Sequence, residues 1–239
     1  MSRFTVTAGW ADAPHLDARA IADLKASIPA FQLEARMNGT PALGSGKIYQ
    51  VPEDDFRVTP FPIPKHFKQA YGLDVGILCT AAVFGAWDED ADVLYLHSLH
   101  YAPDQIAAIH ADAILRRGKW QRGVIDPAAR GRNPVDGQRL IEVYERLGLD
   151  LTPADNAVSA GIFEVNGRLV SGRLKVFSSL SEWFAEYRLY RRQENKIVKA
   201  KDHAMDATRY LCQSGRDVAR CAPLPPKEER RSGGSKWSG

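Results

Sequence analysis

Tyr71-Gly72-Leu73-Asp74-Val75-Gly76 is an apolar, strand-patterned run with a carboxylate near its middle and a glycine two positions to either side of it. In strand phase, Leu73 and Val75 share one face, while Asp74 shares the other with Gly72 and Gly76. Burying a lone carboxylate costs on the order of 3–5 kcal/mol unless it is paired or holds a metal. The glycines read as clearing space around Asp74 for an ion or a phosphate. The ordinary alternative is a salt-bridged or edge-strand aspartate.

Downstream of this run the pattern stays extended. Gln69–Gly76, Thr80–Trp87 and Val93–His100 read as three strands, with an acidic turn at Asp88–Asp92 and with Val93, Tyr95, His97 and Leu99 on one face. Short turns between them imply an antiparallel meander. The period then changes. Pro103 opens a helix with the expected apolar stripe Ile106, Ile109, Ala113 and Ile114, and a strand Gly123–Asp126 is stopped by Pro127. A helix follows at Gln138–Leu147. Gly161–Val176 reads as a helix end plus a hairpin around Asn166-Gly167, and further helices are expected at Leu180–Arg191 and about Asp202–Gln213. This order predicts an α/β fold, a mixed sheet flanked by helices. Upstream, residues 1–68 read as an extension: Asp17 caps a short helix, Pro29, Gly39, Pro41, Gly44 and Gly46 break the chain into loops, and Pro60, Pro62 and Pro64 form a stiff connector. The domain proper is expected over 69–222. Residues 223–239, rich in Pro, Lys, Arg, Gly and Ser, read as a disordered basic tail.

The 239 residues suffice for one substantial core, and a net charge of +3 permits a nucleic-acid partner without demanding one. Three cysteines without a CxxC pair speak for a reducing compartment and against a thiolate zinc site. No apolar stretch approaches the roughly 20 residues of a membrane span, and Met1–Trp10 has no apolar signal core. A cytoplasmic setting is the expectation.

Two further acids sit as awkwardly as Asp74. Asp126 ends the apolar run Gly123-Val124-Ile125, where ligand crevices form in open α/β sheets, although an aspartate before proline also starts turns. Asp206 lies in Asp202-His203-Ala204-Met205-Asp206-Ala207; Asp202 and Asp206 share a helix face, with His203 in reach of Asp206. Their like charges cost a helix roughly 0.2–0.5 kcal/mol, which a cation would reverse. Asp202 also serves as an ordinary N-cap in this reading. Dispersed carboxylates beside apolar residues point to Mg²⁺ or Mn²⁺ and to a metal-dependent nuclease. Basic residues flank two of the three acid positions: Arg130 and Arg132 after Asp126, and Arg191, Arg192, Lys196, Lys199 and Lys201 before Asp202. These are candidates for holding a phosphodiester backbone, against the plainer reading of a solvated charge run. Gly44-Ser45-Gly46-Lys47 is not a P-loop, because Pro41 replaces its first glycine and Ile48 its Ser/Thr. Asp88, Asp90 and Asp92 lack the glycine and glutamate of a calcium loop. His97, His100 and His110 have no metal spacing and are expected to be structural or exposed.

A strand aspartate, a later strand-end aspartate and a final helix aspartate, after a three-stranded meander, is the order of the ribonuclease H-like fold. Within it, Gly72-Leu73-Asp74-Val75-Gly76, Val124-Ile125-Asp126-Pro127-Ala128, Gly172-Arg173-Leu174-Lys175-Val176-Phe177 and Asp202-His203-Ala204-Met205-Asp206-Ala207-Thr208-Arg209-Tyr210 resemble the nuclease domain of phage terminase large subunits. Trp10–Leu16, Ala35–Pro41 and Leu43–Gly46 resemble the segment joining the packaging ATPase to that nuclease. The resemblance covers about residues 5–215 and includes no P-loop ATPase. It implies two-metal hydrolysis of double-stranded DNA with low sequence specificity, Mn²⁺ or Mg²⁺ as cofactor, with Asp74 bridging the metals and Asp126 and Asp206 flanking them. Asp206 is preferred to Asp202 as the direct ligand because it lies inside the helix; Asp202 and His203 are supporting groups. Implied partners are DNA, the portal protein, the small terminase subunit and the packaging ATPase domain, in the cytoplasm of an infected bacterium. The alternatives are another ribonuclease H-like nuclease, of the junction-resolvase or transposase kind, and a non-catalytic motor-docking module.

Overall fold

The computed structural model describes residues 9–13, 16–27, 37, 45–76, 79–103, 105–131, 139–193, 196–199 and 201–223. The expected breaks at Pro29, Gly39, Pro41 and Gly44, together with Arg132 and the tail beyond residue 223, lie outside the described residues.

In chain order the elements are α1 Ala18–Ser27, β1 Ser45–Lys47, α2 Glu53–Phe56, β2 Arg57–Val58, β3 Lys68–Val75, β4 Cys79–Asp88, β5 Val93–Pro103, α3 Ala107–Leu115, β6 Arg122–Ile125, α4 Leu140–Arg146, β7 Asp150–Pro153, α5 Val158–Val170, β8 Leu174–Phe177, α6 Ser181–Leu189, β9 Arg191–Gln193, β10 Lys196–Ile197 and α7 His203–Tyr210. A π turn, Leu211–Gly215, and a short α8, Arg216–Val218, follow. Seven strands form one mixed sheet in the order β2-β8-β5-β4-β3-β6-β7. The meander β3-β4-β5 is antiparallel, whereas β3-β6, β6-β7, β5-β8 and β2-β8 pair in parallel. This is the mixed, helix-flanked sheet that the sequence predicts.

Period-two alternation sorts the sheet into two packed faces. Ala70, Ala81, Val83 and Val124 enter the larger core, with Ile162, Val165 and Leu169 of α5, Trp183, Phe184 and Tyr187 of α6, and Ala204, Met205 and Ala207 of α7. Tyr71, Leu73, Ala82, Phe84 and Ile125 enter the smaller one, with Ala111 and Ile114 of α3 and Ile141 and Tyr144 of α4. Asp74 therefore projects toward the α7 side.

Two local expectations are corrected. Asn166-Gly167 is no hairpin turn but lies inside α5, because Ile162, Val165 and Leu169 bury one helical stripe and tertiary packing overrides the turn-prone dipeptide. The face of α3 is rotated: Ile106 and Ile109 are 68% and 48% exposed, while His110, Ala111 and Ile114 are buried. The rotation lets His110 Nδ1 meet His100 Nε2 of β5 at 2.9 Å, which satisfies two buried polar atoms. Upstream of β3, Ile48, Tyr49 and Phe56 lie in the larger core, and β2 adds a strand to the sheet edge.

Candidate active site

The last parallel pair between β3 and β6 is Leu73–Ile125, so Asp74 and Asp126 occupy neighbouring strand ends one residue further on. Asp126 accepts the Ala128 N–H at 2.9 Å and so caps the 3₁₀ turn Pro127–Arg130. It thus performs the turn-starting role as well as standing beside Asp74. Asp206 reaches the same place from α7, which packs across β3 and β4. Burial raises the pKa of Asp74; the hydrogen bond from His203 opposes this, and the fields of Asp206 and Asp126 push it further up. Asp126 and Asp206 therefore both lie within electrostatic reach of the Asp74 carboxylate.

The glycines beside Asp74 have a different purpose from the one expected. A Cβ on Gly72 would stand 2.0 Å from the Ala207 carbonyl oxygen, and one on Gly76 would stand 2.6 Å from His203 Cε1. They admit the backbone of α7 and the imidazole of His203 against the sheet; the space is filled by protein. His203 Nδ1 meets Asp74 Oδ2 at 2.8 Å, and that contact, against the opposing effect of burial, raises the histidine pKa.

Asp206 has two cationic neighbours. Lys199 Nζ donates to its Oδ2 at 2.7 Å, and Arg209 Nη2 to its Oδ1 at 3.2 Å. Lys199 also lies 2.9 Å from Asp202 Oδ2, outside hydrogen-bond geometry, leaving that buried oxygen without a hydrogen-bond partner. Burial depresses the Lys199 ammonium, but its hydrogen bond to Asp206 and the adjacent Asp202 carboxylate more than compensate, bringing its pKa to about 12. Asp202 stands at the N-cap position of α7 without making a side-chain cap bond, contrary to the expected capping role. Among the described residues, no three histidine, cysteine, aspartate or glutamate side chains form a ready metal-ligand set. Asp74 is turned onto His203, and Asp206 onto Lys199 and Arg209. The donor chemistry nonetheless suits a hard divalent cation: carboxylate oxygens at two adjacent strand ends, with a third carboxylate within their electrostatic reach.

Of the expected phosphate contacts, Arg191 and Arg192 lie on β9 and Lys196 on β10, in a small antiparallel sheet with β1. Arg191, Lys196 and Lys201 are exposed, and Lys199 is turned onto the acids. Arg130 closes the turn after Asp126. Sequence reasoning missed Lys47, which β1 pairs with Arg191, and two buried charges, Arg209 and Glu186. The last two carry a legible signal, since each falls on the apolar stripe of its helix, Glu186 between Trp183 and Tyr187 and Arg209 three residues after Asp206.

Residues 78–214 match the Terminase RNaseH-like domain family. The large terminase subunit of Salmonella phage P22 is 34% identical over 213 residues, 83% of this chain; the chain spans only 42% of that relative's length. The solved structure of the P22 large terminase nuclease domain superposes with a TM-score of 0.68 at 32% identity, covering 75% of this chain and 96% of that one. The large terminase nuclease domain of bacteriophage SPP1 with bound Mn shares the fold at a TM-score of 0.52 and 16% identity, over 70% of this chain and 99% of that one. With its mixed sheet, its strand-end acids and this family match, the chain belongs to the Terminase RNaseH-like domain family, as a terminase large-subunit nuclease domain.

Proposed function

We propose that the chain is a divalent-metal-dependent endonuclease that cuts double-stranded DNA with low sequence specificity during phage genome packaging. The observation that carries this is the placement of Asp74 and Asp126 at two adjacent strand ends with Asp206 of α7 in electrostatic reach, so that burial first, and then the charges of Asp206 and Asp126, raise the pKa of Asp74. Asp74, Asp126 and Asp206 would hold Mg²⁺ or Mn²⁺, with Asp202 in support; bound Mn in the SPP1 nuclease domain favours the same ions here. Such a cation supplies a water of lowered pKa and stabilises the departing oxygen. His203 holds Asp74 in orientation through their 2.8 Å contact. Arg191, Arg192, Lys196 and Lys201, with Arg130 and Arg132 beside Asp126, would hold phosphates rather than bases, which gives affinity without sequence readout. Residues 69–222 would form the nuclease domain, with Ile48, Tyr49, Phe56 and strand β2 of the preceding stretch packed onto it, and 1–68 would lead toward a packaging ATPase; portal protein and small terminase subunit are the expected partners in the infected cell.

The test is supercoiled plasmid with Mn²⁺ and, separately, Mg²⁺, comparing the chain with Asp74→Asn. Nicking and linearisation by the parent, lost in the variant, is the expected result. Cleavage of a four-way junction in preference to plasmid would move the reading to a resolvase. An inert parent whose thermal stability ignores Mn²⁺ would move it to a docking module.

A further inference from the structure

Helix α7 supplies Asp202, His203 and Asp206 from a single turn at its N-terminus, where the first amide groups of a helix have no partner inside the helix. An aspartate at the N-cap position ordinarily accepts from those amides. Asp202 does not. Its backbone carbonyl takes the first helical bond, from the Asp206 N–H at 2.8 Å, while its carboxylate faces Lys199 with one buried oxygen lacking a hydrogen bond.

The orphan amides are satisfied from another helix. Glu186 of α6, 2% exposed, accepts the Ala204 N–H at 2.6 Å and the Met205 N–H at 3.3 Å through Oε2. Its Oε1 accepts the Tyr101 hydroxyl, from the end of β5, at 2.8 Å. A second tie lies one turn along: Trp183 Nε1 donates to Thr208 Oγ1 at 2.8 Å, and that hydroxyl donates to the Ala204 carbonyl at 2.7 Å. Strand β5, helix α6 and the start of α7 are thus joined through one carboxyl group.

We propose that Glu186, steadied by Tyr101, is a positioning residue of the nuclease site: it caps α7 in place of Asp202 and so keeps the Asp202 carboxylate off the helix amides, beside Lys199, where it can serve the metal. The inference rests on the nuclease reading above. With the cap supplied from outside, α7 is fixed in height against β3, and Asp202 has no local amide to satisfy. Remove the external cap and Asp202 becomes the nearest acceptor for the same amides, turning away from Asp206. Groups that orient a metal ligand from behind in this way typically matter about 10- to 100-fold in affinity.

The test uses the full chain. Mn²⁺ binding is titrated calorimetrically in the parent, Glu186→Gln, Asp202→Asn, the double variant and Tyr101→Phe, with circular dichroism to establish folding, and plasmid cleavage gives kcat and KM. Glu186→Gln is expected to weaken Mn²⁺ about 10-fold and to lower kcat while leaving KM for plasmid within about twofold. In the Asp202→Asn background the same change should add nothing, because its route to the metal is gone. Tyr101→Phe, which deletes one hydroxyl, should move Mn²⁺ affinity the same way by less, and it keeps the test open should Glu186→Gln not fold. Parent-like Mn²⁺ affinity in a folded Glu186→Gln, or equal losses in both backgrounds, overturns the positioning role. A parent that binds no Mn²⁺ overturns the nuclease reading beneath it.

Discussion

Replacing Asp206 with alanine tests the site's electrostatics before any reaction is measured. Arg209 is 2% exposed; its Nη2 is held by Asp206, its Nη1 by Asn156 Oδ1 at 3.1 Å, and its Nε has no partner. Burial is the largest single influence on this guanidinium and works against its charge, but Asp206 and two neighbouring tyrosines together raise its pKa, so it remains a cation. Asp206→Ala therefore leaves a buried positive charge with one amide oxygen and the face of the Tyr210 ring but no counter-ion among the described residues, and deprotonation is no escape for arginine. Breaking a buried pair in this way costs about 3–5 kcal/mol. For a domain of this size that lowers Tm by roughly 6–20 °C. Asp74→Asn has the opposite character: the ionised acid is already disfavoured by burial, Asp206 and Asp126, and only the His203 contact is lost, so metal-free stability should change by no more than about 1 kcal/mol. Urea unfolding followed by tryptophan fluorescence, with EDTA present, measures both. An Asp206→Ala variant within about 1 kcal/mol of the parent, or an Asp74→Asn variant that is the more damaged, would refute the reasoning. A practical consequence follows for activity work: Asp206→Asn, which keeps an acceptor for Arg209, is the usable control.

Three other outcomes follow from the same structure. Gly72→Ala puts a methyl 2.0 Å from the Ala207 carbonyl oxygen, where only backbone could yield, so it should cost about 3 kcal/mol and abolish cleavage even at temperatures where the protein stays folded. Gly167→Ala, inside α5 with nothing within 4 Å, should instead gain about 0.5–1 kcal/mol; equal effects at the two glycines in parallel melts would contradict the close approach of α7 to β3. The buried His100–His110 pair gives a pH dependence: burial, then His110 and Arg117, lower His100 to about 4, and burial lowers His110. Their folded pKa values lie below the unfolded 6.5, so the stability they contribute is full above that pH and is lost as pH falls toward about 4, by at most about 3 kcal/mol for His100. A His100→Gln/His110→Gln double variant should unfold with a flatter pH profile across this window; an unchanged slope would show that the pair does not stay neutral.

How far the sequence could be read depended on whether a signal was local. The meander was legible because β3, β4 and β5 are joined by short turns, and the two acids stood out because Asp74 lies inside an apolar strand run and Asp126 ends another. The Gly44-Ser45-Gly46-Lys47 segment lacks the first glycine and the Ser/Thr of a P-loop, and its Lys47 pairs with Arg191, a contact between distant stretches that spacing cannot reveal. The same limit explains the glycines. Their phase with Asp74 showed that this face of β3 needs room, but not that a helix over 130 residues later fills it. Helix α3 has apolar residues enough for more than one face, and the buried one was decided by what β5 offers beneath it, His100. The Asn166-Gly167 dipeptide favours a turn in isolation and was overruled by the stripe that α5 buries. Glu186 and Arg209 broke the polar-out rule on their own helices, and that breach is the kind of signal a sequence does carry for buried charge.

Anomalous diffraction from crystals grown with Mn²⁺ tests the central claim most directly. Manganese peaks beside Asp74, Asp126 and Asp206, with Lys199 Nζ moved off the Asp206 carboxylate, are the predicted result. A map without manganese at those carboxylates, with Lys199 still bridging Asp202 and Asp206, would contradict the account.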